Sequence, residues 1–412
     1  VDDLLERLMG GQDDPWPLYD RLRETGAGVH YLSGFGNRGA YLCFRHADVV
    51  RVYADPDTFS SAAAARPEAA DRALDRFADV WWRQATYRDG PGHQRLRRAM
   101  KTAFSGPVAD TLRASVEHVA DDVIARLFLR GRAEIEFMCE VAAEVPVAVA
   151  ARVIGVGAAD RDRFTAWARS LLGALDPDTC AAAGPHARAA AADAGGELVE
   201  YLRRLMRARR AEPRADLVSA LAHSPEFAGG PDHDAEVLAQ LVLMLTAGND
   251  TTATLLGNAV HLLLELPEVR GRLAERPSGV EAAVEEVLRF APPVHLTARV
   301  AVRDAELGGH AVAAGTPVIQ VIPAANRDPR AYTDPGTFRV DRFDGSAPAH
   351  LSFAPGRHHC LGDHLARLET RVLLSRFLAH FPALTRGSMP ALPRTASARV
   401  RGWETLPVRL RP

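Results

Sequence analysis

The ten residues FAPGRHHCLG, Phe353 to Gly362, decide how the chain is read. A cysteine follows a loop of Gly, Pro and His and stands at the start of a helical pattern, CLGDHLARLETRVLLSRFLAHF. A thiol at a helix N-terminus faces free N–H groups and the positive end of the helix dipole, and both favour the thiolate. A thiolate there is a nucleophile, a redox centre or a metal ligand, and the rest of the chain must choose among them.

The totals narrow the choice. The chain has 412 residues, is 47% hydrophobic and carries a net charge of -2. It can bury a large core, and its charge gives no reason to expect nucleic acid as a partner. Four cysteines, Cys43, Cys139, Cys180 and Cys360, lie scattered with no CxxC pair and no zinc spacing. So few thiols in so long a chain are expected in a reducing compartment, the cytoplasm, with Cys43, Cys139 and Cys180 as buried small hydrophobes. The first residues, VDDLLERLMGG, are charged, so neither a signal peptide nor a membrane anchor is expected there. The most apolar internal stretch, Val237 to Leu264, is broken by Asn249, Asp250, Asn258 and His261, and fits a buried core helix rather than a membrane span.

Helical periodicity predicts helices over about 46–54, 92–104, 107–130, 137–154, 158–173, 186–211, 234–265, 278–290 and 360–381. Short strands are expected at 28–32 and 39–44, and again between Val294 and Val321, where GGH and AAGTP mark turns. Residues 60–90, with Trp81 and Trp82, and residues 326–352 read as irregular. The fold class is mainly α with a small β portion.

Three further clusters carry chemistry. In LVLMLTAGNDTTATLLGNAV, 241–260, Gly248 removes bulk from the middle of an apolar helix, and Thr251 can bond back to a carbonyl one turn earlier. Asp250 is an acid in apolar surroundings, so the segment reads either as an opening lined by acid and alcohol or as a packing notch. In EEVLRF, 285–290, Glu286 and Arg289 share a helix face and can pair. In GHQRLRR, 92–98, His93 and Arg97 share another face. With Arg299 and His358 they are either solvated charges or a set converging on a ligand's carboxylates.

In chain order these are H-x-x-x-R at 93–97, AG-x-DT at 247–251, E-x-x-R at 286–289, Arg299, and F-x-x-G-x-H-x-C-x-G at 353–362. The order and spacing resemble the cytochrome P450 family of haem-thiolate monooxygenases over nearly the whole chain, and its soluble bacterial members most closely. One position departs from the family pattern: Ala354, followed by Pro355, stands where Gly is usual. The resemblance implies one helix-rich domain, residues 1–412, enclosing haem b with Cys360 as the iron ligand. It implies that His93, Arg97, Arg299 and His358 anchor the haem propionates and that Phe353, Gly356 and Gly362 shape the thiolate loop. Ala247 and Gly248 would leave room for oxygen, and Asp250 and Thr251 would relay protons on the distal side. Glu286, Arg289 and Arg342 would brace the loop. Leu243, Met244, Ala247, Val294, His295 and Leu296 are the implied substrate contacts, His295 being either a ligand to a substrate oxygen or a residue satisfied elsewhere. The remaining regions implied at the pocket are 60–90, 165–195 and 395–400.

The activity implied is insertion of one oxygen atom of O2 into a small apolar molecule, by hydroxylation or epoxidation, in bacterial secondary metabolism. Electrons would pass from NAD(P)H through a reductase and a ferredoxin, with Arg95, Arg98, Lys101 and Arg367 as a basic docking face. Neither nucleic acid nor membrane is an expected partner. Two other readings are desaturation, oxidative coupling or peroxide-driven chemistry at the same thiolate, and a non-catalytic haem sensor or recruitment protein.

Overall fold

A computed structural model describes residues 14–35, 39–63, 78–175, 185–228, 231–394 and 397–411, with positions 3, 5, 7 and 8. Parts of the regions expected near a pocket, 64–77, 176–184 with Cys180, and 395–396, lie outside the described residues.

The longer helices are α1 (Pro15–Glu24), α2 (His46–Ala54), α3 (Gly90–Ala103), α4 (Pro107–Arg130), α5 (Glu144–Ile154), α6 (Arg161–Leu175), α7 (Pro185–Ala211), α8 (Pro231–Glu265), α9 (Val280–Phe290) and α10 (Asp363–His380). The strands are short: β1 (Val29–Leu32), β2 (Ala40–Cys43), β3 (Phe59–Ser60), β4 (Glu134–Glu136), β5 (Leu296–Ala301), β6 (Ala305–Leu307), β7 (His310–Val312), β8 (Pro317–Val321), β9 (Thr385–Arg386), β10 (Leu392–Pro393), β11 (Trp403–Thr405) and β12 (Pro407–Arg409).

Helix α8 organises the core. It packs against α5, α6, α7, α9 and α10, and its apolar residues are buried on several sides, from Val237 and Leu241 to Leu255 and Val260. A helix apolar all round needs such a surround. No described helix is long and apolar enough to cross a membrane. Helix α9 stops where Pro292 and Pro293 forbid its continuation.

The largest sheet runs β1-β2-β8-β5-β3. Its central strand β8 is parallel to β2, with Leu42 opposite Ile319, and antiparallel to β5, with Arg299 opposite Val318. Side chains two apart on a strand share a face. Thr297 and Arg299 of β5 accordingly both reach Tyr53 of α2: the Thr297 hydroxyl lies 2.5 Å from the Tyr53 hydroxyl, and the Arg299 guanidinium sits 5.3 Å from the ring centroid.

One expected element differs. The helix expected over 137–154 is interrupted. β4 is followed by a five-residue π turn, Met138–Ala142, before α5 begins. The wide turn is closed by Ala143 N–H donating to the Met138 carbonyl at 2.8 Å, and the Glu136 carboxylate, which accepts from the N–H groups of Met138 (3.1 Å), Cys139 (2.7 Å) and Leu406 (2.6 Å), ties the start of the turn to the C-terminal strands. Cys139 lies in that turn and is exposed, not buried; Cys43 is fully buried.

Candidate active site

The thiol loop is built before the last helix, not within it. Helix α10 begins at Asp363 with Gly362 as its cap residue, so Cys360 precedes the helix instead of opening it. The loop is closed by Cys360 N–H donating to the Phe353 carbonyl at 2.9 Å and by His359 N–H donating to that of Gly356 at 3.1 Å. Gly356 has φ +93°, and a Cβ there would stand 2.7 Å from the Tyr53 carbonyl oxygen, so no other residue fits. Burial pushes the Cys360 thiol up; the Gly362 N–H bonded to the sulfur, and the charges of Arg97 and Arg367, pull it down less strongly. The N–H groups and helix end that favour the thiolate are thus opposed by burial, which a cation bound to the sulfur would offset. Cys360 is nonetheless accessible, although protein surrounds the sulfur on most sides.

Ala354 adopts φ 52°, one of two non-glycine residues in the left-handed region among those described. A Cβ in that region costs roughly 1–2 kcal/mol, and a following proline restricts the residue further. Ala354→Gly is expected to stabilise the protein by about 0.5–1 kcal/mol, the strain relief being partly offset by the entropy of glycine. Urea unfolding of the two proteins measures it. A destabilised glycine variant would mean that Ala354 packing outweighs its strain.

The loop is braced from behind. Arg289 donates to both Glu286 oxygens at 2.7 and 2.8 Å, and Arg342 Nε lies 3.0 and 3.1 Å from the same oxygens. All three side chains are at most 3% exposed. Arg289 also donates to the carbonyls of Asn326 and Pro335, each at 2.9 Å. Arg342 donates to those of Thr333 (2.6 Å) and Thr337 (2.7 Å). Asn326 passes the connection on: its side chain accepts from Leu351 N–H at 2.8 Å and donates to Ser352 Oγ at 2.9 Å, immediately before Phe353. The 326–352 stretch lacks periodicity because buried guanidiniums, not a ladder, satisfy its carbonyls.

The four expected donors gather on one side of the loop. The rings of His93 (α3) and His358 stack with centroids 4.0 Å apart. His358 Nε2 lies 2.8 Å from Asp89 Oδ1, and Asp89 also accepts from Ser60 Oγ at 2.6 Å. Burial, then the neighbouring His358 and Arg97, pushes His93 down to about 4. Arg97 donates to the His359 carbonyl, and Arg299 to that of Ala298 at 2.8 Å. Among the described residues neither guanidinium has a carboxylate within ion-pair distance, although burial lowers the pKa of both. Half-buried cations of this kind call for an anion.

On α8, Ala247 and Gly248 are exposed while Leu245, Asn249 and Thr252 beside them are buried. A Cβ at Gly248 would meet nothing within 4 Å, so the helix is open-sided here. Thr251 Oγ1 donates back to the Ala247 carbonyl at 2.8 Å. Asp250 is not in apolar surroundings as expected. It is partly exposed, and its carboxylate accepts from Arg394 Nη1 at 2.7 Å.

The family model for Cytochrome P450 matches residues 279–399, which include the Glu286–Arg289 pair and the thiol loop. Cytochrome P450 107B1 of Saccharopolyspora erythraea is 32% identical, the match covering 99% of this chain and 98% of the relative. The chain belongs to the cytochrome P450 family. Mycinamicin IV hydroxylase/epoxidase of Micromonospora griseorubida is 32% identical over 90% of this chain and 88% of its own. Among solved P450 structures, PksS of the Bacillus subtilis bacillaene polyketide synthase superposes with a TM-score of 0.85 at 27% identity, covering 98% of each chain. The protein is a P450 monooxygenase, an oxidoreductase whose family cofactor is haem.

Two P450 substrate candidates sit in the core, and for His295 the structure favours the second of its two readings, a residue satisfied elsewhere. His295 is buried, with Nδ1 2.7 Å from the Tyr19 hydroxyl and its ring 5.9 Å from that of Trp16, both on α1. Burial, then the charges of Arg401 and Arg327, pushes it down to about 3. Leu296 packs into a separate core cluster with Leu42, Phe44 and Ile319. Leu243, Met244 and Val294 are half-buried and stay candidates.

The docking face is also corrected. Arg95 bonds Glu236 at 2.7 Å, Arg98 bonds Glu226 at 2.8 Å, and Arg367 bonds Glu285 at 2.6 Å and Asp363 at 2.7 Å, so these charges are matched. Lys101 is exposed.

Sequence reasoning missed Asp89, Tyr53 and Arg394. Each acts across the fold on an expected residue, and no local spacing signals such a pair.

Proposed function

We propose that the chain is a haem b monooxygenase that inserts one oxygen atom of O2 into an apolar small molecule, by hydroxylation or epoxidation, in secondary metabolism. The observation that carries this reading is one thiol in a strained loop beside two half-buried guanidiniums with no carboxylate at ion-pair distance among the described residues, together with an open-sided stretch of the central helix. Residues 1–412 then form one haem-enclosing domain.

The residues fit a haem group. Its two carboxylates supply the anions that Arg97 and Arg299 call for, with His93 and His358 as further donors. Cys360 would hold the haem iron through its sulfur, and the Gly362 N–H bonded to that sulfur would tune its charge. Phe353 and Gly356 hold the loop that presents it. Thiolate-bound haem supplies activation of dioxygen. Ala247 and Gly248 leave space for it on α8. Asp250 takes protons from solvent and the Thr251 hydroxyl passes them inward. Leu243, Met244, Ala247 and Val294 form the apolar wall against which the substrate rests.

A polyketide-like substrate is supported by the name of PksS, a P450 of polyketide biosynthesis. Electrons come from NAD(P)H through a reductase and a ferredoxin. The free thiols Cys43, Cys139 and Cys360 support a cytoplasmic setting.

Thr251→Ala tests the distal assignment. With mycinamicin IV as probe, product formed per NADPH is expected to fall at least about fivefold, while NADPH consumption continues and hydrogen peroxide rises. Unchanged coupling would remove Thr251 from proton delivery.

A further inference from the structure

The C-terminal hairpin lies along α8 as a strap. Asp250, Thr254, Asn258 and His261 follow one another at four, four and three residues, one stripe of the helix. The hairpin meets every one of them. Arg394, just past β10, donates to Asp250 at 2.7 Å. Gly402 comes so close that a Cβ there would stand 2.6 Å from Thr254 Cγ2 and 3.2 Å from Asn258 Oδ1. The Trp403 indole lies on the His261 ring with centroids 3.9 Å apart. Arg394 N–H closes the hairpin by donating to the Gly402 carbonyl at 2.9 Å.

The same strap holds the segment after α9. His295 N–H donates to the Arg399 carbonyl at 2.7 Å, Arg401 N–H donates to that of Pro293 at 3.0 Å, and Val294 bridges Val400. Val294 is a candidate wall of the pocket. One piece of backbone thus touches the pocket wall at one end and the acid of the distal pair at the other.

We propose that Arg394 is a positioning residue for proton delivery: it holds the Asp250 carboxylate, one residue before Thr251 in the chain, in place on α8, and the hairpin carries the fit of a substrate at Val294 to that carboxylate. The proposal rests on the monooxygenase reading above. The geometry suits the task. The two side chains are only 18% and 32% exposed, so solvent competes with the pair less than at an open surface. Arg394 is carried on the hairpin that Gly402 and Trp403 hold against the helix. A relay needs its groups at hydrogen-bond distance, and displacing one by an ångström is enough to slow transfer strongly.

The test uses the holoenzyme with a surrogate two-iron ferredoxin and its reductase, NADPH, and mycinamicin IV as probe. In Arg394→Ala, NADPH consumption is expected to slow about fivefold and its solvent deuterium isotope effect to rise above that of the parent. Arg394→Lys should restore most of the rate and Arg394→Gln should not. The rate and isotope effect are also read without mycinamicin IV, so the result does not depend on the probe being turned over. Thermal unfolding supplies a readout free of turnover. The melting temperature lost by Asp250→Asn with Arg394→Gln should fall clearly short of the sum of the single losses. Additive melting losses with an unchanged isotope effect in Arg394→Ala overturn the proposal. A parent protein without the CO spectrum of thiolate-bound haem would instead overturn the reading beneath it, while the unfolding cycle still reports whether the pair forms.

Discussion

Cys360→Ser is expected to abolish the far red-shifted Soret band of the reduced, CO-bound protein and to lower monooxygenase turnover by about three orders of magnitude or more. The shift reports a thiolate opposite CO, and serine offers neither the softness nor the acidity to replace it. The loop should survive the change, because its closing bonds use the backbone of Cys360 and not its sulfur. The variant is therefore expected to fold with a melting profile close to that of the parent apoprotein. A parent protein whose CO complex absorbs where histidine-ligated haem does would remove Cys360 from the iron and bring the sensor reading forward. A serine variant that keeps the red-shifted band would do the same.

The largest stability effect is expected at Glu286. Its carboxylate neutralises two guanidiniums, Arg289 and Arg342, whose side chains are 0% and 3% exposed. Glu286→Ala leaves both buried without an anion, and breaking a buried pair in this way costs about 3–5 kcal/mol. That is a large share of the stability of any single folding unit. The loss should reach the thiol loop through Asn326 and Ser352, so haem content should fall along with the urea midpoint. Glu281→Ala is the control. Its pair with Arg371 is on the surface, with Glu281 72% exposed, and should contribute no more than about 1 kcal/mol. Equal losses for the two variants would mean that the buried cluster is not a brace.

How much was legible in the sequence depended on the range of the interactions involved. Helices α2 and α4 begin and end where their periodicity predicts, because apolar spacing, Pro107 and Gly131 are local signals. The Glu286–Arg289 pair was legible for the same reason, since three residues on one helix face suffice. The π turn near 138 was not legible, since the carboxylate that caps its start, Glu136, also accepts from Leu406, 270 residues away. His295 shows the same limit: its polarity suggested a ligand, but its partner Tyr19 is 276 residues distant. The start of α10 was misplaced by three residues because the thiol loop keeps its own hydrogen bonds up to Cys360. In the candidate site, residue types were legible and their counter-charges were not. His358, Asp250 and the three docking arginines all take partners from elsewhere in the chain, and those partners changed how each is read.

The pairing of β2 with β8 has a consequence for how the protein is made. Cys43 lies opposite Gln320, so the edges of the N-terminal hairpin wait for a strand about 275 residues downstream. At roughly 5–20 residues per second, the hairpin of β1 and β2 leaves the ribosome on the order of 15 to 55 seconds before its neighbour exists. During that interval a two-stranded ribbon with an apolar face stands unpaired, and such ribbons are marginal alone. The thiol loop is synthesised later still. The site that uses that loop is therefore completed only after β8 is available to pair with β2.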